Sequence, residues 1–283
     1  MSSSAAALPD EHEFAFTDAD FQRARKLIHE HAGISLADSK RQLVYSRVGR
    51  RLRALGLESF GEYFEALEGN PQEWEAFTNA LTTNLTSFFR EEHHFPILSQ
   101  HLRTLAQGRT SPLTLWCSAA STGEEPYSMA ITAAETFGML NPPVRILATD
   151  VDTSVLAKAT RGVYEMDRLE KMSPERLRKY FLKGKGGNAG HAKVRPELMA
   201  LITFRQLNLL HSSWPVRGPL DAIFCRNVMI YFDKPTQRKI LQRFAPLLAG
   251  HGLLFAGHSE SFHNAADIFR LKGKTIYELA QRR

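Results

Sequence analysis

Leu113-Thr-Leu-Trp-Cys-Ser-Ala-Ala-Ser-Thr-Gly-Glu-Glu-Pro-Tyr-Ser-Met129 changes character twice. Leu113 to Cys117 is a short apolar run of the kind a buried strand presents. Ser118 to Gly123 is a turn of small residues. An amphipathic helix follows, with Pro126 in its first turn, where a missing N–H costs nothing. Strand, small-residue turn and helix together hold nucleotide-like ligands in doubly wound α/β folds. The glycine fingerprint is absent, since Ala119, Ser121 and Gly123 stand where it would need glycines. Glu124 and Glu125 would repel a pyrophosphate and welcome a cationic ligand. By itself the stretch also reads as an ordinary βα turn.

Downstream, apolar runs alternate with helical patterns. Val144–Thr149 is the next expected strand and ends at Asp150-Val-Asp152. Asp152 or Thr153 caps the helix that follows, which leaves Asp150 free to accept from ribose hydroxyls. Asp167–Leu182 reads as a charged helix. The Gly-rich, basic stretch from Lys183 to Arg195 breaks the βα rhythm and reads as an insertion; it lacks the Gly-Lys-Ser/Thr ending of a phosphate loop. Leu201–Arg205 and Leu220–Cys225 are further strands, followed by Asn208-Leu209 and Arg226-Asn227. A helix over Lys234–Leu248 and strands at Gly252–Gly257 and Thr275–Leu279 complete the chain. Ligands in open α/β sheets lie beyond the carboxyl ends of the strands. Ser118–Glu125, Asp150, Asn208 and Arg226-Asn227 all fall at such ends.

The first eighty or so residues carry helix signals alone. Thr17 caps a helix that Gly33 ends. Asp38–Leu55 is a second, whose outer positions carry Arg47, Arg50, Arg51 and Arg53 with no acid after Asp38. That face is either solvated or a docking face for an acidic helix or phosphates. Ser59 and Glu62 form a capping box for a third helix, and Pro71 opens a fourth. Leu81–Glu92 then joins the two parts, polar except for Leu85, Phe88 and Phe89. A loop carrying Asn84, Thr86 and Arg90 can close over a site or cap the helix Glu91–Gln107.

The chain has 283 residues and a formal charge of +6. No apolar run approaches the ~20 residues of a membrane helix. Residues 1–12 read as a disordered tail without the basic start of a signal peptide. Cys117 and Cys225 fall in expected strands and read as small buried residues of a cytosolic protein. No metal site is expected: the adjacent His93 and His94 would face different sides of a helix.

Five segments taken together resemble the CheR family, glutamate O-methyltransferases of bacterial chemoreceptors that use S-adenosylmethionine. They are Thr82–Arg90, Ala119–Ser128, Ala148–Asp152, Phe224–Phe232 and Leu254–Glu260. The resemblance implies a Rossmann-like α/β methyltransferase domain with a small inserted β-subdomain, preceded by an all-α N-terminal domain. The corresponding bounds are a helical domain and linker at 13–90 and a methyltransferase domain at 91–283, with the insertion near 184–203. It implies S-adenosylmethionine as cofactor and S-adenosylhomocysteine as product. The cofactor-binding residues would be Asn84, Thr86, Arg90, Asp150, Asn208, Leu209, Arg226 and Asn227, with either Glu124 or Glu125. Arg90 and Tyr231 would lie near the transferred methyl group. The implied partners are methyl-accepting chemoreceptors, docked by Arg47, Arg50, Arg51 and Arg53 and, through the β-subdomain, by a C-terminal receptor pentapeptide. The implied setting is a cytoplasmic monomer recruited to receptor arrays, with no nucleic acid and no membrane insertion.

The chemistry needs no nucleophilic Cys or His, because a glutamate is ionised near neutrality. A non-catalytic cofactor-sensing or scaffold module with the same fold is the alternative. A nucleic-acid methyltransferase would want Asn-Pro-Pro-Tyr where Arg226-Asn227-Val228-Met229 stands. A nicotinamide dehydrogenase would want the missing glycines.

Overall fold

The computed structural model describes residues 13–280; the expected tail at 1–12 lies outside them. The chain divides into two compact units between Leu81 and Thr82. The first contains α1 (Asp18–Ala32), α2 (Arg41–Leu55), α3 (Phe60–Ala66) and α4 (Pro71–Leu81). Thr17 and Asp20 cap α1 reciprocally, and Gly33 ends it in the left-handed region at φ 69°. Ser59 accepts from the Glu62 N–H at the start of α3, but Glu62 reaches the Glu58 N–H rather than that of Ser59. Every third or fourth residue of these helices faces one apolar cluster that includes Ile28, Val48, Leu52, Tyr63 and Phe77. Each such side chain contributes about 1.5–3 kcal/mol on burial.

The second unit runs from Thr82. Its elements are α5 (His94–Leu105), β1 (Leu113–Cys117), α6 (Glu124–Phe137), β2 (Val144–Asp150), α7 (Thr153–Arg161), β3 (Val163–Glu165), α8 (Pro174–Tyr180), β4 (Phe181–Lys183), β5 (His191–Val194), α9 (Pro196–Met199), β6 (Ile202–Gln206), β7 (Leu220–Cys225), α10 (Lys234–Phe244), β8 (Leu248–Ala256), β9 (Phe269–Gly273) and β10 (Ile276–Leu279). The main sheet has the order β6-β2-β1-β7-β8-β10-β9. It is parallel from β6 to β8, and β10 and β9 add antiparallel strands at one side. Period-two alternation places Leu113, Leu115 and Cys117 in one apolar cluster with α5 and α6. Trp116 goes to the opposite face with Phe244 of α10.

Three expectations need correction. The linker segment 82–90 belongs with the second unit: Thr82 donates to Asp152 at 2.7 Å, and Phe88 packs edge-on against Tyr164 and Phe181. Asp167–Leu182 is not one helix. Ser173 caps the short α8, and the chain then enters β4, because Phe181 is buried and pairs with Val194. The small sheet is therefore wider than 184–203; its order is β3-β5-β4 and it draws in Val163–Glu165 and Phe181–Lys183.

Candidate functional site

β1 lies between β2 and β7, where the strand order reverses. A crevice opens at such a point beyond the carboxyl ends of the strands. The turn after β1 is tied to both neighbours: Ser118 N donates to Phe224 O and Ala120 N to Thr149 O, each at 2.8 Å. At Gly123 the backbone φ is +100°, and an added Cβ would meet Ala159 Cβ at 2.9 Å. Only glycine lets the turn pack this closely on α7.

Glu125 and Arg226 meet at the centre. Their carboxylate and guanidinium stand 3.0 Å apart, with side chains only 11% and 1% exposed. Cys117 Sγ lies 3.2 Å from the other Glu125 oxygen. Burial raises the Glu125 pKa, opposed chiefly by Arg226. Arg226 also donates to the Arg90 carbonyl and lies 3.6 Å from Glu91. Its Nε has no hydrogen-bond partner among the described residues. Both thiols are fully buried, and burial raises their pKa well above the ordinary value.

Asp150 closes one side at the end of β2. Its oxygens accept from Ser121 N at 2.8 Å and Asp152 N at 3.0 Å. These donors fix the carboxylate and leave lone pairs for further donors. Burial pushes its pKa up to about 6 against those two N–H groups. Asp152 is the cap of α7, accepting from Ser154 N and Val155 N. Its other oxygen accepts from Thr82 and, at 2.9 Å, from Asn84. The Asn84 amide thus holds the 82–90 segment against α7.

Glu124 is turned elsewhere. It is fully buried, with one oxygen 2.7 Å from Arg168 and the other accepting from Thr122 at 2.6 Å. Of the two glutamates, Glu125 meets Arg226. Arg90 is half-buried and donates to the Leu85 carbonyl at 2.9 Å. Thr86 is half-buried on the same segment. Tyr231 is half-buried and ends the 3-10 turn Met229–Tyr231 that follows β7. Asn208 accepts from Leu210 N at 2.9 Å. The Leu209 side chain is part of the apolar core.

The sequence reading missed Glu91, Glu260 and Arg243. Glu91 accepts from Asn227 Nδ2 at 3.2 Å and pairs with His258 at 3.0 Å. Burial would raise its pKa, but His258 and Arg226 outweigh that and hold it at about 2. Phe89 and Glu91 both take positive φ, 53°, a strained turn that no sequence signal announced. Glu260 is buried among backbone N–H groups of the loop after β7. Arg243 donates to the carbonyls of Leu209 and His211 and stacks on Trp214 at 3.6 Å.

His93 lies at the N-cap, outside the helix that begins at His94. Ligand atoms of Glu91, His93 and His94 consequently come within 4.8 Å of one another, contrary to the expectation that the two histidines diverge. Arg226, 3.6 Å from Glu91, opposes a further cation there. No described helix is long and apolar enough to cross a membrane.

In the first unit the four arginines of α2 differ. Arg51 makes two hydrogen bonds to Glu73, at 2.9 and 2.7 Å, and that carboxylate is buried and also accepts from Tyr63. Arg53 pairs with Glu13 at 2.7 Å, and Arg47 donates to Ala80 O. Arg50 is exposed and, among the described residues, donates to the Ser46 carbonyl of its own helix. The acids missing from α2 come from other segments.

Carboxylates at Glu125 and Asp150, with Arg226 between strand ends, suit a ligand that carries an ammonium group, a carboxylate and vicinal hydroxyls. Residues 84–277 match the family described as "CheR methyltransferase, SAM binding domain", and residues 19–82 match "CheR methyltransferase, all-alpha domain". Chemotaxis protein methyltransferase 2 of Pseudomonas aeruginosa is 55% identical over 268 residues, covering 95% of each chain. Chemotaxis protein methyltransferase of Salmonella typhimurium is 54% identical over 94% of this chain and 92% of its own. The protein of that name from Escherichia coli is 51% identical over 94% and 93%.

Proposed function

The chain belongs to the CheR methyltransferase family, and we propose that it forms methyl esters on glutamate side chains of bacterial chemoreceptors. It is a methyltransferase of chemotaxis that uses S-adenosylmethionine. The reading as a non-catalytic module is not favoured.

The residues at the strand ends fit that cofactor. Glu125 receives its ammonium group and Asp150 its ribose hydroxyls. Arg226 braces Glu125, and its unpartnered Nε is a spare donor. Asn84 and Thr86 form the edge of the site, and the backbone of Asn208-Leu209 borders the base. When bound, the cofactor supplies a methyl carbon already activated by a positive sulfur. A substrate glutamate is ionised near pH 7, with an ordinary pKa of about 4.3, so the chain needs no general base. Arg90 and Tyr231 orient that carboxylate. Arg90 is held through its side chain to Leu85 O and through its own carbonyl by Arg226, so it meets the substrate preplaced. Opposite charges vanish along the displacement, so excluding water favours the transition state.

One observation carries this reading: Asp150 and the Glu125-paired Arg226 stand at the ends of β2 and β7, the strands that flank β1, while both thiols are buried. The test is transfer of radiolabelled methyl to receptor-bearing membranes, followed by alkali. Glutamate esters release the label as methanol. Alkali-stable label would sink the proposal.

Receptor recruitment follows the same reading. The order β3-β5-β4 leaves β3 and β4 as edges to which a peptide strand can add. Exposed Val163, Lys193 and Leu182 stand in one register row across that sheet, chemistry suited to an aromatic-acidic receptor C-terminus. The protein works as a monomer recruited from the cytoplasm to receptor arrays. Titration with receptor C-terminal pentapeptides tests the tether, and no binding would remove it.

A further inference from the structure

The loop after β7 is built around a buried carboxylate that comes from beyond β8. Glu260 is 5% exposed. One of its oxygens accepts from Asn227 N at 3.0 Å and Gly257 N at 2.5 Å. The other accepts from Val228 N at 3.0 Å and Met229 N at 2.8 Å. Three consecutive N–H groups converge on one carboxylate, a backbone nest of the kind that binds anions. The nest exists because Asn227 adopts φ 57°, a left-handed conformation that persists only where its surroundings enforce it. The two loops interlock: a Cβ at Gly257 would stand 2.4 Å from Asn227 Nδ2 and 2.9 Å from Glu260 Oε2.

What this knot holds is the segment that carries Arg226, Asn227 and Tyr231. Arg226 reaches Glu125, Asn227 reaches Glu91, and the turn Met229–Tyr231 begins on the last of the three N–H groups. We infer that Glu260 is a positioning residue for methyl transfer, which sets the backbone of residues 227–229 and thereby aims Arg226 and Asn227 at the cofactor and Tyr231 at the substrate carboxylate. This rests on the site reading given under Proposed function. Glutamine is not an equivalent replacement. Its amide nitrogen donates, so two of the four N–H groups would lose an acceptor and face a donor instead. Aspartate keeps all the acceptor capacity on a shorter stem.

Another buried carboxylate provides the comparison. Asp221 is 1% exposed near the opposite end of β7 and accepts from Thr114 N and Arg109. Its side-chain partners among the described residues are Arg109, Thr114 and His251, none of them at the site, so Asp221→Asn reports what losing a buried carboxylate does to stability alone.

The experiment measures S-adenosylhomocysteine affinity by calorimetry, and kcat and KM for receptor methylation, well below the Tm of each variant. Glu260→Gln is expected to weaken product affinity and lower kcat by roughly tenfold or more, the scale of a lost hydrogen bond to a charged group. Glu260→Asp should recover part of both. Asp221→Asn should lower Tm with wild-type affinity and kcat. Glu260→Gln with the Tm loss of Asp221→Asn but wild-type affinity and kcat would overturn the inference. If Glu260→Gln does not fold, wild-type values in Glu260→Asp overturn it equally. Asn227→Ala separates the underlying reading: unchanged product affinity there would remove the cofactor assignment, and the inference with it.

Discussion

The Glu91 carboxylate accepts a hydrogen bond from the Asn227 side chain at 3.2 Å across 136 residues of sequence. His258 approaches the same oxygen at 3.0 Å. Three segments that read as separate motifs therefore share one ionised carboxylate. The linker carries Glu91, the loop after β7 carries Asn227, and the loop after β8 carries His258. The Glu125–Arg226 pair sits beside this junction.

Glu91 predicts an acid-sensitive fold. Its folded pKa is about 2 against an ordinary 4.5, so its contribution is present above pH 4.5 and is lost as pH falls through 2. Buried His94, with a pKa lowered to about 4 from 6.5 mainly by burial and also by Arg226, contributes stability above pH 6.5 that is lost as pH falls towards 4. The urea midpoint should drop between pH 4.5 and 2, where Glu91 titrates; above that the His94 loss is offset by Asp150, whose raised pKa acts with the opposite sign over nearly the same range. Glu91→Gln should flatten the lower window and, because the Glu91 charge raises the His94 pKa, lower the His94 pKa further. A variant curve parallel to wild type between pH 4.5 and 2 would contradict this.

Asp150 predicts a pH dependence of product affinity. Its pKa is raised from 3.8 to about 6 by burial. The folded apo protein therefore takes up this proton first, and its stability gains as pH falls through 6 towards 3.8. Affinity for S-adenosylhomocysteine moves the other way, because a protonated carboxyl has lost acceptor capacity for ribose hydroxyls. Calorimetry should show affinity falling below about pH 6. Asp150→Asn should bind roughly tenfold or more weakly and show no such fall. Unchanged affinity in this variant would remove Asp150 from the site.

The two adjacent glutamates should separate cleanly. Glu125→Gln removes the partner of a buried arginine and an acceptor for the cofactor's ammonium group, so product affinity should fall by roughly tenfold or more. Glu124→Gln breaks the Arg168 pair and should lower Tm while affinity holds. Equal loss of affinity in both variants would show that the helix start moves as a unit.

The strands β1, β2 and β7 were legible because each is a short apolar run ending in a polar residue. That pattern located Asp150 and Arg226-Asn227 at strand ends. Glu124 and Glu125 could not be told apart, since neighbours on a helix differ by about 100° and the partner that claims Glu124 lies 44 residues away. β3, β4 and β5 are too short for periodicity; the register of Lys193 with Val163 and Leu182 defines them. β9, with Arg270 and Lys272 at an exposed edge, carried no strand signal either. Glu91 and Glu260 stayed hidden because their roles depend on positive-φ backbone at Glu91 and Asn227, which a sequence of non-glycine residues does not advertise.

The arginines of α2 lead to the last prediction. Expected as one docking face, they divide by partner. Arg51 neutralises buried Glu73, and Arg51→Ala would leave that carboxylate with Tyr63 alone, costing roughly 1–3 kcal/mol. Its effect on receptor methylation would then follow from loss of the fold. Arg53 faces Glu13 in a half-exposed pair, the type worth about 0–1 kcal/mol. Arg50 is exposed and, among the described residues, bonds within its own helix, so it is the cleanest reporter of docking. Arg50→Glu should keep the wild-type Tm and product affinity while kcat/KM on receptor membranes falls. The deficit should shrink as salt rises from low to physiological ionic strength, because steering by exposed charges is screened over a Debye length of about 8–10 Å. Wild-type kcat/KM for Arg50→Glu across that salt series would exclude α2 as the docking face.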